Sequence, residues 1–244
     1  MNILTLKVGD RYDSRYVNRL YRGLKRNSTI DFDFYCYTED PTNLDQNIHV
    51  IPLVERDDVQ KQWYKIDFHH MPWLQGKCII LDIDYLVISN VDDILGWDLL
   101  PKHFGCNYRW WSILTKFCEI NGGFQMFNQG DTKHLYDIFY SDPEYWQQYY
   151  IQKMHTEPPV NGEQNFVDHH CQCDRSWLPQ EWFAKYHLEE LSKIQEMWHE
   201  RVNKTDPYFM GGEFNEQIKM VHFSNSNNMI HESDEDWIAE YWYD

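Results

Sequence analysis

The run Cys78-Ile79-Ile80-Leu81 constrains this chain more than any other feature. Consecutive apolar residues without polar alternation mark a strand buried on both faces, and such strands belong to sheets covered by helices on each side. The run then meets two acids, Asp82 and Asp84, and resumes as Tyr85-Leu86-Val87-Ile88. A charge among apolar neighbours costs several kcal/mol unless it is paired or holds a metal. In an open α/β sheet, ligands gather at the carboxyl ends of strands. Acids spaced by two point to the same side of an extended chain. Two hard oxygen ligands aimed together suit Mn²⁺ or Mg²⁺. The residues alone leave a second reading open, in which the acids cap a turn or pair with Lys or Arg.

Strand and helix signals alternate over the first 140 residues. Asn2–Lys7, Phe32–Thr38 and Ile48–Pro52 read as strands. Val17, Leu20, Tyr21 and Leu24 form a helical stripe that Asp13 or Ser14 can cap. Lys61–Met71 reads as a helix stopped by Pro72. Gly122–Asn128 reads as a strand, Asp131–Tyr140 and Glu163–His169 as helices, and Lys219–Phe223 as a late strand. Leu191, Ile194 and Trp198 point to one more helix. This alternation predicts an α/β fold with a mixed, mostly parallel sheet flanked by helices. We expect a single domain over residues 1–225, then an acidic, aromatic tail over 226–244 that is either docked or loosely ordered.

Charge excludes some partners. The formal net charge of −17 argues against nucleic acid and against an anionic membrane surface. The basic cluster Arg22, Lys25 and Arg26 is small. An acidic protein that binds a diphosphate needs charge cancelled, and a divalent cation does that. No apolar run of about 18 residues marks a membrane span. The six Cys show no disulfide framework, so a cytoplasmic setting is expected. Aromatics make up 17% of the chain, too many to line one site, so most should be packing.

The segment Leu81-Asp82-Ile83-Asp84-Tyr85-Leu86-Val87, followed by Asn90-Val91-Asp92-Asp93-Ile94-Leu95, resembles the D-x-D region of GT-A (Rossmann-like) glycosyltransferases. It is most similar to the family of glycogenin and the bacterial lipopolysaccharide galactosyltransferases. Four further segments carry the resemblance. Trp63-Tyr64-Lys65-Ile66 is similar to the family's T-K-L helix, which makes Lys65 a contact to the donor phosphate or sugar. From the residues alone, Lys65 is as readily a solvated helix lysine. Asn121-Gly122-Gly123-Phe124 resembles a strand whose glycine admits the donor sugar and whose Asn bonds its hydroxyls. Gly162-Glu163-Gln164-Asn165 resembles the D-Q-D segment near the anomeric carbon, with Glu in place of the first Asp. Val221-His222-Phe223 resembles the late H-F element whose His completes a metal shell.

The resemblance implies transfer of a sugar from a UDP-sugar to a hydroxyl of a glycan, lipid or protein, with retention. It implies metal ligands Asp82, Asp84 and His222, and Gln164 and Glu163 as catalytic residues. The donor would meet Thr5, Leu6, Lys7, Tyr16, Lys65, Asp82, Ile83, Asn121, Gly122 and Gly123, with Tyr12 or Tyr16 stacking on uracil. Asp92 is expected to cap a short helix. One departure stands out: the family carries a diphosphate-gripping Lys after the late His, and no Lys or Arg follows His222 here. The charge must come from Lys65, the metal or another residue.

Two other functions compete. A sugar nucleotidyltransferase would need a Gly-rich basic loop after the first strand, which Asp10-Arg11-Tyr12-Asp13 does not supply. A non-catalytic nucleotide-sugar or carbohydrate-binding protein on the same fold is the other. The run Asp168-His169-His170-Cys171-Gln172-Cys173-Asp174 has metal-ligating residues. Zinc sites usually draw on two separated pairs, so this run reads as a helix end entering a loop.

Overall fold

The computed structural model describes residues 1–109, 118–156, 162–186, 216–223, 229–233 and 236–243. These residues form strands β1 (Asn2–Lys7), β2 (Asp33–Thr38), β3 (His49–Pro52), β4 (Lys77–Leu81), β5 (Tyr85–Val87), β6 (His103–Tyr108), β7 (Ile120–Asn128), β8 (Asp174–Trp177), β9 (Phe183–Tyr186) and β10 (Met220–Phe223). The helices are α1 (Ser14–Arg26), α2 (Asp92–Leu95), α3 (Lys133–Phe139), α4 (Pro143–Thr156), α5 (Glu163–His170) and α6 (Asp236–Trp242). Lys61–His70 is helical as expected, but wound as a 3-10 helix.

Seven strands make one sheet in the order β3-β2-β1-β4-β7-β6-β8. Strands β3, β2, β1 and β4 are parallel, β7 is antiparallel to both its neighbours, and β8 is parallel to β6. The mixed, mostly parallel α/β sheet is therefore as expected. The apolar run of β4 lies at its centre and is buried on both faces. Ile79, with Ile3 and Met126, enters one core; Ile80, with Leu4 and Phe127, enters the other.

Helix α1 covers the first core through Val17, Leu20 and Leu24, all fully buried. The Asp13 carboxylate caps it, accepting from the Arg15 backbone N–H at 2.9 Å. The second core is aromatic. Trp63 of the 3-10 helix stacks on Phe139 of α3 at 5.2 Å, and Phe166 of α5 packs edge-on to both. The aromatic excess is thus largely structural.

A second, three-stranded sheet has the order β5-β10-β9. Its register sets His222 of β10 opposite Tyr85 of β5 and Lys185 of β9. Neighbours in register share a face, so these three side chains lie together.

One expectation changes, several elements are new, and the arrangement left open at the end of the chain is decided. Asp92 does not cap α2; Val91 holds that position. The Asp92 carboxylate turns away to accept from Ser28 Oγ, the Thr29 N–H and Thr29 Oγ1, and it fastens the loop between α1 and β2. Strands β6, β8 and β9 and helix α4 were not expected, because their sequences lack a clean apolar period. The end of the chain is docked rather than loose: Ile230, Ile238 and Trp242 are buried in the first core beside α1. The expected helix around Leu191, Ile194 and Trp198 lies outside the described residues.

Candidate active site

Asp82 follows the last residue of β4. Its N–H bonds the Gly123 carbonyl of β7 at 2.9 Å, and the Thr5 hydroxyl donates to the Leu81 carbonyl at 2.7 Å. The chain then turns through Ile83, buried in the first core, so Asp84 returns at the start of β5. The Asp84 carbonyl accepts from the Phe223 N–H at 3.0 Å, which brings β10 alongside. Asp82, Asp84 and His222 thereby converge, their ligand atoms all within 4.8 Å of one another. His222 Nε2 is 3.1 Å from Asp84 Oδ1 and 3.8 Å from Asp82 Oδ2.

The electrostatics of this cluster are demanding. Asp84 Oδ1 is buried, and apart from His222 Nε2 at 3.1 Å it has no hydrogen-bond partner. An unsatisfied buried oxygen costs free energy, more so when charged. Burial, and then the Lys185 ammonium, hold His222 below the usual imidazole range, so the ring is neutral at pH 7. A neutral imidazole and two carboxylates form a donor set for a divalent cation. The buried Asp84 oxygen is an atom such a cation would satisfy, so these residues fit a metal.

Behind the acids stands Lys65. Its Nζ is 2.5 Å from Asp82 Oδ1 and 3.7 Å from Glu163 Oε2, and it donates to the Gly122 carbonyl at 3.5 Å. Burial alone would favour the neutral amine, but Asp82 and Glu163 outweigh it and raise the Lys65 pKa above the ordinary lysine value. Lys65 is therefore not a solvated helix lysine. Glu163, in the first turn of α5, is buried and accepts from Gln125 Nε2 at 2.9 Å. Burial raises its carboxyl, against the pull of Lys65. Gln164 Oε1 accepts from the Gly122 N–H at 2.8 Å, while its Nε2 is buried without a partner.

The two glycines of β7 are spacers for protein groups. A Cβ on Gly122 would lie 2.6 Å from Gln164 Cβ, and one on Gly123 would lie 2.6 Å from His222 Cε1. The missing side chains make room for Gln164 and His222. Asn121 is likewise behind the site. Its Nδ2 donates to Tyr85 Oη at 2.8 Å and faces His222 Nδ1 at 3.1 Å, so it orients the ring. Tyr85 stacks on the His222 imidazole, its ring centroid 4.4 Å away and nearly parallel to it.

At the nucleotide end the agreement is partial. Tyr12 is half-buried and its hydroxyl is 3.5 Å from Asp84 Oδ2. Tyr16 does not reach the site. It is fully buried, its hydroxyl accepts from the Ile230 N–H at 3.0 Å, and its ring packs on Trp242. Thr5 is sealed beneath β4, and Leu6 packs half-buried against the second core. Lys7 turns toward Asp40, with Nζ 3.9 Å from its carboxylate.

Sequence reasoning missed Lys185. Its Nζ is 3.3 Å from His222 Nδ1 and donates to the Phe223 carbonyl at 3.1 Å. Burial lowers its pKa to about 8, partly offset by Asp84 and Asp82. Only the pairing of β9 with β10 brings it here, and the four residues of β9 carry no motif.

No protein-family model and no curated protein matches the sequence. Solved structures do match the fold. The galactosyltransferase LgtC, solved with donor and acceptor sugar analogues, aligns over 100% of this chain and 95% of its own, with a TM-score of 0.63 and 13% identity. The glycosyltransferase GlyE of Streptococcus pneumoniae TIGR4 aligns over 99% of this chain and 59% of its own, at 0.62 and 10%. Mouse xyloside xylosyltransferase 1 aligns over 93% and 99%, at 0.59 and 14%. The fold is therefore that of the GT-A glycosyltransferases.

Proposed function

We propose that this protein is a glycosyltransferase that moves a sugar from a nucleotide diphosphate sugar, a UDP-sugar, to a hydroxyl acceptor on a glycan, lipid or protein. The reading rests on one observation: Asp82 and Asp84, from the turn between β4 and β5, converge with His222 of β10 around the buried Asp84 oxygen. These three residues would hold Mn²⁺ or Mg²⁺, which when bound supplies Lewis-acid stabilisation of the leaving diphosphate.

The remaining residues divide the work. Three carboxylates, Asp82, Asp84 and Glu163, face two ammonium groups, Lys65 and Lys185. A divalent cation turns this net negative site positive, as a diphosphate requires. Lys185 supplies the charge that the chain lacks after His222. Gln164 Nε2 is a spare donor for a sugar hydroxyl. Gln125 and Lys65 both engage Glu163, which makes it a poor nucleophile. That supports attack on the face from which the diphosphate leaves, and hence retention. All six Cys are free thiols, and no helix among the described residues is long and apolar enough to cross a membrane; both fit the cytoplasm.

The test is a donor screen with UDP-, GDP- and CMP-sugars and Mn²⁺, scored as nucleotide release. UDP release from UDP-glucose or UDP-galactose is expected. UDP binding without turnover of any donor would favour the non-catalytic reading, and no nucleotide binding at all would contradict both.

A further inference from the structure

On the far side of α5 from Glu163, the fold assembles a second cluster. Helix α5 spans Glu163–His170, about 12 Å of helix at 1.5 Å per residue. Cys171 and Cys173 follow it in the loop that enters β8. A separate element, α3, brings His134 to the same place. The ligand atoms of His134, Cys171 and Cys173 all lie within 4.8 Å of one another, and all three residues are half-buried. The separated partner that the Cys-x-Cys run lacks in sequence is thus supplied by the fold.

We propose that His134, Cys171 and Cys173 form a Zn²⁺ site that ties α3 to the turn between α5 and β8. The imidazole has the required proton arrangement: His134 Nε2 accepts from the Gln172 N–H at 2.9 Å, so its lone pair points into the loop between the two thiols. Cys173 Sγ donates to the Asp131 carbonyl at 3.5 Å. The hydrogen bond between the two thiols, and then the Arg175 guanidinium, lower the Cys171 thiol pKa, while the same bond raises that of Cys173. Arg175 itself is fixed by the Asp168 carbonyl and carboxylate. Tetrahedral zinc with Zn–S of about 2.3 Å and Zn–N of about 2.0 Å holds ligand atoms roughly 3.5 to 3.8 Å apart. From separations of no more than 4.8 Å, the cluster has to close by at most about 1.3 Å, within reach of half-exposed side chains. On binding, Zn²⁺ forms two Zn–S bonds and one Zn–N bond, the two thiol protons pass to solvent, and Gln172 N–H gives up Nε2. Water completes the tetrahedron.

The test uses the full chain, reduced, with Co²⁺ as a spectroscopic substitute for Zn²⁺. Wild type should show a thiolate-to-cobalt charge-transfer band and tetrahedral visible bands, both erased by one equivalent of Zn²⁺. Zn²⁺ should also protect two thiols from a chromogenic disulfide reagent and raise Tm. Cys171→Ser with Cys173→Ser should abolish the band, and His134→Gln should weaken Zn²⁺ binding at least tenfold with both thiols present. Asp84→Ala should keep the band. A cobalt spectrum without thiolate character, no thiol protection by Zn²⁺, or a band that survives the double Ser change would overturn the proposal.

Discussion

Lys185 Nζ lies 3.3 Å from Nδ1 of His222, so a buried ammonium stands directly behind a candidate metal ligand. The two residues are paired in register on adjacent strands, β9 and β10. This contact brings a cation to a chain that has none after His222. Lys185→Gln should therefore raise the KM for the donor about 3- to 10-fold, through the loss of a positive charge near the diphosphate and not of a direct bond to it. Lys185→Arg should recover part of it. Steady-state kinetics over a donor series measures both.

Gly123 is the second sensitive point. A Cβ there would sit 2.6 Å from His222 Cε1 and 3.1 Å from Asp82 Oδ2. Gly123→Ala should cost about 1–3 kcal/mol by overpacking. It should also weaken Mn²⁺ binding, because the displaced atoms belong to two of the three candidate ligands. Thermal unfolding and Mn²⁺ calorimetry separate the two effects.

The two tyrosines of α1 and the segment before it should part company. Tyr12→Ala should lower UDP affinity, since Tyr12 borders Asp84. Tyr16→Phe should leave UDP affinity unchanged and lower stability by about 1 kcal/mol, the worth of its bond from Ile230. Equal loss of UDP affinity in both variants would return Tyr16 to the site.

His69 gives a pH dependence of stability. It is fully buried, bonds Thr132 Oγ1 at 3.0 Å, and burial lowers its pKa to about 3. The unfolded chain binds this proton below about pH 6.5, and the folded chain does not until about pH 3. Stability should therefore be fully present above pH 6.5 and fall as pH drops, by at most about 1.4 kcal/mol per unit from this group. His69→Asn keeps a polar group near Thr132 and removes the titration. Denaturant melts from pH 7 to pH 4 should show a smaller acid loss in His69→Asn than in wild type.

The sequence was informative where chemistry and periodicity coincide. Cys78–Leu81 announced a strand buried on both faces, and the acids after it marked the site, because few buried positions tolerate charge. Lys65, Glu163, Gln164 and His222 were singled out through resemblance; the structure brings Lys65 and His222 to Asp82, Glu163 to Lys65, and Gln164 to Gly122. What stayed hidden depends on pairing between distant short strands. The sequence Phe183-Ala184-Lys185-Tyr186 has no pattern that distinguishes a site lysine from a surface one. Tyr16 looked like a stacking residue because the docking of Trp242 on it is a contact between opposite ends of the chain. Asn121 and the two glycines lie at the site as the resemblance implies, and their contacts with His222 and Gln164 depend on strand pairing that the sequence does not display.

The central claim is that Asp82, Asp84 and His222 hold a divalent cation that the nucleotide diphosphate shares. Calorimetric titration of UDP with and without Mn²⁺, on wild type and Asp84→Ala, tests it most directly. The account predicts that Mn²⁺ tightens UDP binding at least tenfold in wild type and has no effect in folded Asp84→Ala. Mn²⁺-independent UDP binding in wild type, or an undiminished Mn²⁺ effect in Asp84→Ala, would contradict it.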